Sequence, residues 1–481
     1  MTPPSKSAPK SRSKPSRRAA SPKRSTSRKS AGTAADNSLG SAQLRRLAQQ
    51  VISLSHADET EVEIDVVSSA LTRFANNTIH QNVAEQNLVI SVRTVLDGRT
   101  ARATTNKTDL DSLRRVVAAS ESLARMQPKN PDLLPMLPQQ KIRKVNRFFD
   151  ATAAATPDDR AREVARVCKA AAKAHQTAAG VFSTSQTEWF LANSRGLVAE
   201  HDQTHAEFSI TILEKDSSGW AKSTSPDIRQ IRPAHAADTA TLKAVASRSP
   251  RELPAERYVT ILEPPAVLDL VGFLFYDFAA TAVLDKRSVF NNRMNKQLFG
   301  PNITIWDDVY HPLQTGMPFD GEGVPREKVL LVDRGVPKAL VYSRATARKM
   351  KTKPTGHGFS LPNEYGEAPM NLVFQGGNTS VDDMIRTTER GVLVTRLWYI
   401  REVDPYEKTL TGMTRDGTFL VENGKIAGGI RNFRFNQSMI EMLSNVSALG
   451  TSVHASGEES FDMVVPPMKI NNFHFTEVTK F

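Results

Sequence analysis

The longest apolar stretch, residues 266–284 (AVLDLVGFLFYDFAATAVL), decides first between a membrane protein and a protein with a buried core. Its length is close to the about 20 residues that a membrane-spanning helix needs. Asp269 and Asp277 lie inside it without a basic residue, and each would cost about 2.5–3.5 kcal/mol near the centre of a bilayer. We therefore predict a core helix and no membrane partner.

The cysteine content points to a reducing compartment. Cys168 is the only cysteine among 481 residues, so neither an intramolecular disulfide nor a cysteine-based zinc knuckle can form. The basic N-terminus lacks the apolar segment of a secretory signal, and we expect a cytoplasmic protein. Cys168 shares an apolar helical face with Val164, Val167 and Ala171, which favours a small buried hydrophobe over a reactive thiol.

The net charge of +12 is concentrated at the N-terminus. Residues 1–38 hold ten Lys and Arg against the single acid Asp36, which leaves +3 for the rest of the chain. Because this segment contains no Leu, Ile, Val, Phe, Tyr or Trp, we predict that it is disordered. It is interpreted either as a solubilising extension or as an arm that makes weak, salt-dependent nucleic-acid contacts.

The rest of the chain divides at the prolines near residue 250. Residues 39–250 alternate amphipathic helices with strands and predict an α+β domain, whereas residues 251–481 are richer in short strands, Gly and Pro and predict a β-rich domain. The overall fold class is therefore α+β with two domains.

Local signals predict several elements of these domains. A helix should begin near Ser41, and hairpin turns should occur at residues 97–98 (Asp-Gly) and 423–424 (Asn-Gly). Thr108 and Thr156 are the expected N-caps of two helices, the second with Pro157 at its first position. Val62, Ile64 and Val66 alternate with acids, as in a strand with one buried face.

His201 and His205 have the spacing of a zinc-binding helical motif, but their surroundings alternate as a strand. On a strand, at about 3.3 Å per residue, they would lie roughly 13 Å apart, too far to share one zinc. We therefore assign them no metal.

Two loops carry the remaining candidate residues. Asp320 and Glu322 stand two apart in the glycine-containing loop FDGEGVP, where they could hold a cation or a substrate amine. His311 and His357 occur in other Gly- or Pro-containing loops. An ordinary turn and ordinary surface histidines are the alternative interpretations.

These loops belong to a pattern that resembles the TldD/PmbA metallopeptidase family, also called the modulator of DNA gyrase family. The resemblance rests on the order of segments from about Glu263 onward. In order they are a helix after Pro264-Pro265, FDGEGVP (319–325), LLVDRGVPKALVYSRATARKM (330–350), GGNTSVDDMI (376–385), TRDGTFLVENGKIAGGIRNFRFNQSMIEMLSNV (414–446) and PPMKINNFHFTEV (466–478). It implies a TldD/PmbA-like fold.

Catalytic members of that family carry HExxxH on the helix after the proline pair and a third zinc ligand from a late cysteine. This chain has no histidine between residues 236 and 310, no glutamate in 266–284, and SGEESFDMVV (456–465) where the cysteine is expected. It is therefore identified as a PmbA/TldE-like member without catalytic or metal-binding residues.

The resemblance implies a function in proteolysis. We expect a non-catalytic, zinc-free subunit that pairs with a TldD-like subunit, which binds the zinc, in a heterodimer that cleaves unfolded peptides or small proteins. Two alternatives remain. One is a binding or regulatory module associated with DNA through residues 1–38. The other is a self-sufficient hydrolase that uses Asp320 and Glu322 with His311 or His357.

Overall fold

The computed structural model describes residues 39–479. The predictions of disorder and of nucleic-acid contact for residues 1–38 lie outside this range. Within it, no helix has both the length and the apolar character that a membrane crossing would require.

The first sheet is antiparallel throughout and has the strand order β3-β2-β1-β4-β5-β6. Its strands are β1 (Glu59–Ala75), β2 (Thr78–Leu96), β3 (Arg99–Thr105), β4 (Thr177–Asn193), β5 (Val198–Leu213) and β6 (Ser218–Ser225). The turn between β2 and β3 falls at Asp97 and Gly98, both with positive φ, as predicted.

Helices cover one face of this sheet. They are α1 (Ser41–Ser53), α2 (Leu110–Met126), α3 (Asp150–Ala153), α4 (Pro157–Lys173) and α5 (Pro233–Ala246). Even-numbered residues of β1 and β4 point toward them, for example Val62, Ile64 and Phe190. The opposite face of β1 carries Glu61 and Glu63, so the predicted alternation is confirmed.

The helix caps confirm one prediction and correct another. Thr156 caps α4 in a capping box with Asp159, whose backbone N–H donates to Thr156 Oγ1 at 3.1 Å. For α2 the predicted cap Thr108 is wrong. Asp109 is the cap, because its Oδ1 accepts a hydrogen bond at 2.9 Å from the backbone N–H of Ser112, which has no acceptor within the first turn of the helix. Cys168 is buried on α4 as predicted.

The second half of the chain contains two further sheets. Their strands are β7 (Arg257–Leu262), β8 (Ile305–Asp307), β9 (Val329–Asp333), β10 (Val336–Pro337), β11 (Leu372–Phe374), β12 (Arg390–Asp404), β13 (Thr409–Glu422), β14 (Lys425–Gly429), β15 (Phe433–Ser438), β16 (Val446–Leu449), β17 (Val453–Ala455), β18 (Met463–Val465) and β19 (Met468–Val478). One sheet has the order β10-β9-β8-β11-β18-β17. The other has the order β12-β7-β19-β15-β13-β14, with β16 beside β19. The hairpin at Asn423-Gly424 is confirmed.

The apolar segment 266–284 lies in the core, but the prediction of one helix is wrong. It forms α6 (Pro264–Val271), a 3₁₀ helix (Gly272–Phe278) and α7 (Ala280–Leu284). Its two aspartates are satisfied by groups remote in sequence. Asp277, for example, accepts from the backbone N–H of Val289 at 2.8 Å and pairs with Lys408 Nζ at 2.7 Å. Three short helices complete the fold: α8 (Arg344–Lys349), α9 (Val381–Arg386) and α10 (Met439–Ser444).

Candidate functional site

Asp320 organises the FDGEGVP loop from within. Its Oδ1 accepts hydrogen bonds from the backbone N–H groups of Glu322 and Val324, both at 2.9 Å. Its Oδ2 accepts from the backbone N–H of Gly358 at 2.8 Å and so joins this loop to the one that carries His357. The side chain is fully buried, and this burial raises the pKa of Asp320. The carboxylate thus fixes two loops against each other.

Glu322 lies beside Asp320 and is also buried. Its Oε1 accepts from the backbone N–H of Arg344 at 3.1 Å, and its Oε2 is 3.6 Å from Arg344 Nη1. Burial, followed by the negative charge of Asp320, raises the pKa of Glu322 to about 7. A Cβ atom at position 358 would lie 2.7 Å from Glu322 Oε1, so the close approach of the two loops requires Gly358.

The two candidate histidines occupy different surroundings. His357 is buried, with Nε2 at 2.9 Å from Asp307 Oδ1 and Nδ1 at 2.9 Å from Thr355 Oγ1. Burial alone would raise the pKa of Asp307, but the contacts with His357, the charge of Arg326 and the hydrogen bond from the N–H of Asn371 together hold that pKa below its ordinary value. His311 is half-buried, and its Nδ1 accepts from the backbone N–H of Leu313 at 3.2 Å. Burial lowers the pKa of His311.

The structure therefore brings Asp320 and Glu322 together and places His357 on the adjoining loop. Within the described residues, His311 makes no hydrogen bond or ion pair with Asp320, Glu322 or His357. The contacts of Asp320, Glu322 and His357 hold loops in place, and the role of all four residues in a substrate cleft stays a prediction.

A second ionic cluster, which the sequence analysis missed, is buried on the face of the first sheet opposite the helices. Glu61 pairs with Arg93 directly across β1 and β2, with Oε1–Nε and Oε2–Nη2 distances of 3.1 and 3.0 Å. Arg102 on β3 bonds Glu61 at 2.7 Å and Glu63 at 3.1 Å. Its Nε also donates to the backbone oxygen of Leu361 at 2.7 Å. The acids on one face of β1 can be seen in the sequence, but their arginine partners can be identified only from the strand register.

Replacing Glu322 by glutamine should make stability less dependent on pH. With a pKa of about 7 against an ordinary 4.5, folded Glu322 keeps a proton that the unfolded chain releases. The wild-type protein therefore loses stability as pH rises between these values. A glutamine side chain does not titrate. The free energy of unfolding of Glu322→Gln, relative to that of the wild type, should therefore rise by about 2 kcal/mol from pH 5 to pH 8.

Urea unfolding of both proteins at the two pH values measures this gain. Titrating groups away from position 322, such as Asp65, whose pKa burial raises to about 7, are common to both proteins and cancel in the difference. If the two proteins differed in free energy of unfolding by the same amount at pH 5 and pH 8, the raised pKa of Glu322 would be contradicted.

The two segments that correspond to the zinc-binding segments of catalytic TldD/PmbA members, α6 and residues 456–462, are in contact in this chain. Asp269 of α6 is fully buried, and its Oδ1 accepts from the backbone N–H groups of Glu458 and Glu459 at 3.1 and 3.0 Å. Burial raises the pKa of Asp269 to about 6. Gly272 faces Ser460 so closely that a Cβ atom would lie 2.0 Å from its Oγ.

A groove of about 360 Å³ opens at this junction. It is lined by Gly272, Phe273, Phe275, Glu458, Glu459, Ser460 and Phe461. The two glutamates are engaged: Glu458 lies 3.4 Å from both Lys222 and Arg396, and Glu459 accepts from the backbone N–H of Tyr399 at 2.7 Å.

These residues do not fit a zinc site with two histidines and a cysteine. Neither α6 nor residues 456–462 contain histidine or cysteine, whose imidazole and thiolate groups zinc favours, and Asp269 is committed to backbone N–H groups. Two imidazoles from other strands approach Asp462: His454 Nε2 lies 3.3 Å and His205 Nδ1 4.0 Å from Asp462 Oδ2. In the described part of the chain, no three His, Cys, Asp or Glu side chains are grouped so as to hold a metal ion. His201 and His205 lie on β5, as the strand prediction required.

Models of protein families match successive parts of this chain. Three models match: PmbA/TldA metallopeptidase domain 1 over residues 61–124, the central domain over 138–248 and the C-terminal domain over 255–477. The chain belongs to the PmbA/TldD metallopeptidase family. Together the three ranges cover most of this PmbA/TldD family member.

Individual relatives are distant. A metalloprotease TldD homolog of Buchnera aphidicola (subsp. Acyrthosiphon pisum) is 25% identical over 291 residues, which are 55% of this chain and 59% of that protein. Metalloprotease PmbA of Escherichia coli O157:H7 is 23% identical over 331 residues, or 66% of this chain and 70% of that protein. The match thus spans less than two thirds of the length of the TldD homolog.

Solved structures share the fold. TldE from Thermococcus kodakarensis superposes with a TM-score of 0.81 at 19% identity and covers 90% of this chain and 100% of that one. A putative modulator of DNA gyrase from Thermotoga maritima gives 0.80 at 18% identity, with the same coverage. The predicted α+β class and PmbA/TldD-type fold are confirmed.

Proposed function

We propose that this chain is the zinc-free subunit of a TldD/TldE-type metallopeptidase complex that cleaves unfolded peptides or small proteins. A TldD-like partner subunit would hold the catalytic zinc. In this proposal the isolated chain has no peptidase activity, and its contribution is to complete the complex and to bind substrate.

The observation that carries the proposal is the chemistry at the junction of α6 and residues 456–462. Zinc hydrolysis requires ligands that fix the metal and leave one position open for an activated water. Here Asp269 binds backbone N–H groups, Gly272 packs on Ser460, and aromatic side chains line the groove. The similarity to the fold of TldE supports the same role.

Metal analysis and peptidase assays test the proposal. The purified chain should contain far less than one zinc per chain and should leave an unstructured casein peptide intact. Adding a TldD-like protein from the same source should give cleavage that a chelator abolishes, together with co-elution of the two proteins in gel filtration.

The variant Asp269→Asn provides the matched control. If Asp269 is a backbone anchor, its substitution changes the zinc content of neither the isolated chain nor the complex. Stoichiometric zinc that is lost in Asp269→Asn, together with chelator-sensitive proteolysis by the isolated chain, would overturn the proposal.

A further inference from the structure

A cavity of about 700 Å³ lies where the two halves of the chain meet. The first half contributes the turn between β5 and β6 and the end of α5, and the second half contributes β13 and the segment between β14 and β15. Its volume falls within the range of about 300–1,000 Å³ that is typical of small-molecule sites, which often lie between domains. Its described lining residues include none from the α6 junction or the FDGEGVP loop, so it is separate from both.

Ser247, which follows the last residue of α5, places a buried hydroxyl group in the cavity wall. The residue is only 8% exposed, and its Oγ has no hydrogen-bond partner within residues 39–479. Gly429 packs against it so closely that a Cβ atom there would lie 2.5 Å from Ser247 Cα. Because a buried polar group without a partner destabilises a fold, most such groups bond to protein, water or a ligand. The Ser247 hydroxyl is thus available to a molecule in the cavity.

Most acceptor groups of the cavity wall are already engaged by the protein. Asp416 is buried, its Oδ1 accepts from Ser218 Oγ at 2.6 Å, and its Oδ2 accepts from Arg396 Nε at 3.0 Å. The exposed Asp216 accepts a backbone N–H with one oxygen at 3.1 Å. The carbonyl oxygens of residues 243–245, at the end of α5, accept hydrogen bonds as well. The wall therefore has little capacity left to bind a cation.

The uncommitted polar groups of the wall are mainly hydrogen-bond donors. Asn432 Oδ1 accepts from two threonine hydroxyls at 3.3 and 3.0 Å, which leaves the Nδ2 amino group without an acceptor in the described part of the chain. The half-exposed guanidinium of Arg431 has one ion-pair contact there, with Glu252 at 3.9 Å. Lys215 is exposed and forms no ion pair with another described residue. Free donors and positive charges of this kind suit a negatively charged ligand.

We propose that this cavity binds a small organic oxyanion, a carboxylate or a phosphate ester, through Arg431, Asn432 and Ser247. The planar guanidinium of arginine matches two oxygens of a carboxylate or phosphate, and the amide and hydroxyl groups can donate to further oxygens. Lys215 adds positive charge, which the exposed Asp216 partly offsets. Because both halves of the chain line the site, its ligand bridges them. The inference rests on these contacts and not on the zinc-free subunit role.

Isothermal titration calorimetry of the full-length chain at constant ionic strength tests the proposal with three probes. Inorganic phosphate and succinate represent the two kinds of oxyanion, and glycerol is a neutral compound that also forms hydrogen bonds. We expect saturable binding of phosphate, succinate or both, and no binding of glycerol. The stronger of the two anions identifies the ligand as a phosphate ester or a carboxylate. Absence of binding by both anions, or equal binding of glycerol, would overturn the proposal.

Replacing Arg431 by glutamine distinguishes this cavity from other basic surfaces. Arg431→Gln should weaken oxyanion binding about fivefold or more, because it removes the charged donor. Arg434→Gln is the matched control: Arg434 lies on β15 outside the cavity wall, and its side chain is 42% exposed against 50% for Arg431. It should change the affinity less than about twofold. Anions bound by the basic residues 1–38 would bind all three proteins equally, and that result would contradict the proposed site.

Replacing Ser247 by alanine separates a ligand-binding hydroxyl from a structural one. Because this hydroxyl has no partner in the described chain, Ser247→Ala should leave the urea midpoint unchanged or raise it, whereas oxyanion affinity should fall about fivefold. A lowered urea midpoint or an unchanged affinity would show that Ser247 is not a ligand-binding group. Because none of these measurements needs zinc or a partner subunit, their failure and failure of the subunit proposal are distinguishable.

Discussion

Replacing Asp320 by alanine is expected to lower the free energy of unfolding by about 3–5 kcal/mol. The substitution leaves the N–H groups of Glu322, Val324 and Gly358 without their acceptor in a buried site. It also releases one of the hydrogen bonds between the FDGEGVP loop and the His357 loop, whereas the backbone bond from Gly321 N–H to Gly358 O, at 2.9 Å, remains. Part of the loss is offset, because a buried carboxylate with a raised pKa is itself costly.

Urea unfolding at pH 7 measures this effect, and Asp238→Ala serves as the matched control. Asp238 is exposed on α5, so its replacement should change stability by less than about 0.5 kcal/mol. Similar stabilities for Asp320→Ala and Asp238→Ala would show that the loops do not depend on this carboxylate.

Replacing Glu61 by methionine should have a comparable effect, about 3–5 kcal/mol. The side chains of Glu61 and Arg93 are each only 3% exposed, and the substitution removes both hydrogen bonds that the Arg93 side chain makes to Glu61. An uncompensated charge then remains in the interior. Arg102 retains its contact with Glu63, which limits the damage.

A double substitution distinguishes the unpaired charge from lost packing. Glu61→Met with Arg93→Met removes both charges and should be about 1–3 kcal/mol more stable than Glu61→Met alone. The exposed pair Glu163–Arg166, at 3.2 Å, supplies the control, since Glu163→Met should cost no more than about 1 kcal/mol. Additive losses for Glu61 and Arg93 would contradict the pairing energy inferred from the structure.

Much of the local structure follows from the sequence because its causes are local. The start of α1 at Ser41, the two glycine hairpin turns and the Thr156 capping box each depend on residues within a few positions of one another. The wrong cap of α2 shows the limit of this reasoning, because Thr and Asp stand side by side there. Which of the two side chains reaches the N–H of Ser112 depends on where β3 ends and where α2 begins.

Tertiary packing decided the features that local patterns left open. The segment 266–284 is apolar enough for one helix, yet it breaks at Gly272, where Ser460 packs, and Asp277 is held by Val289 and Lys408. Likewise, nothing near Asp320 in the sequence indicates that the N–H of Gly358 is its partner. Such contacts join residues far apart in the chain, so no local periodicity encodes them.

The sequence by itself determined that α6 and residues 456–465 of this PmbA/TldD family member contain neither histidine nor cysteine. The absence of a residue type from a segment can be recognised from the sequence alone. The tertiary structure alone decided that Asp269 anchors backbone N–H groups, that Glu61 meets Arg93, and that half of β5 keeps an open edge. Hydrogen bonding and burial between distant segments set these features, and both depend on how the sheets pack.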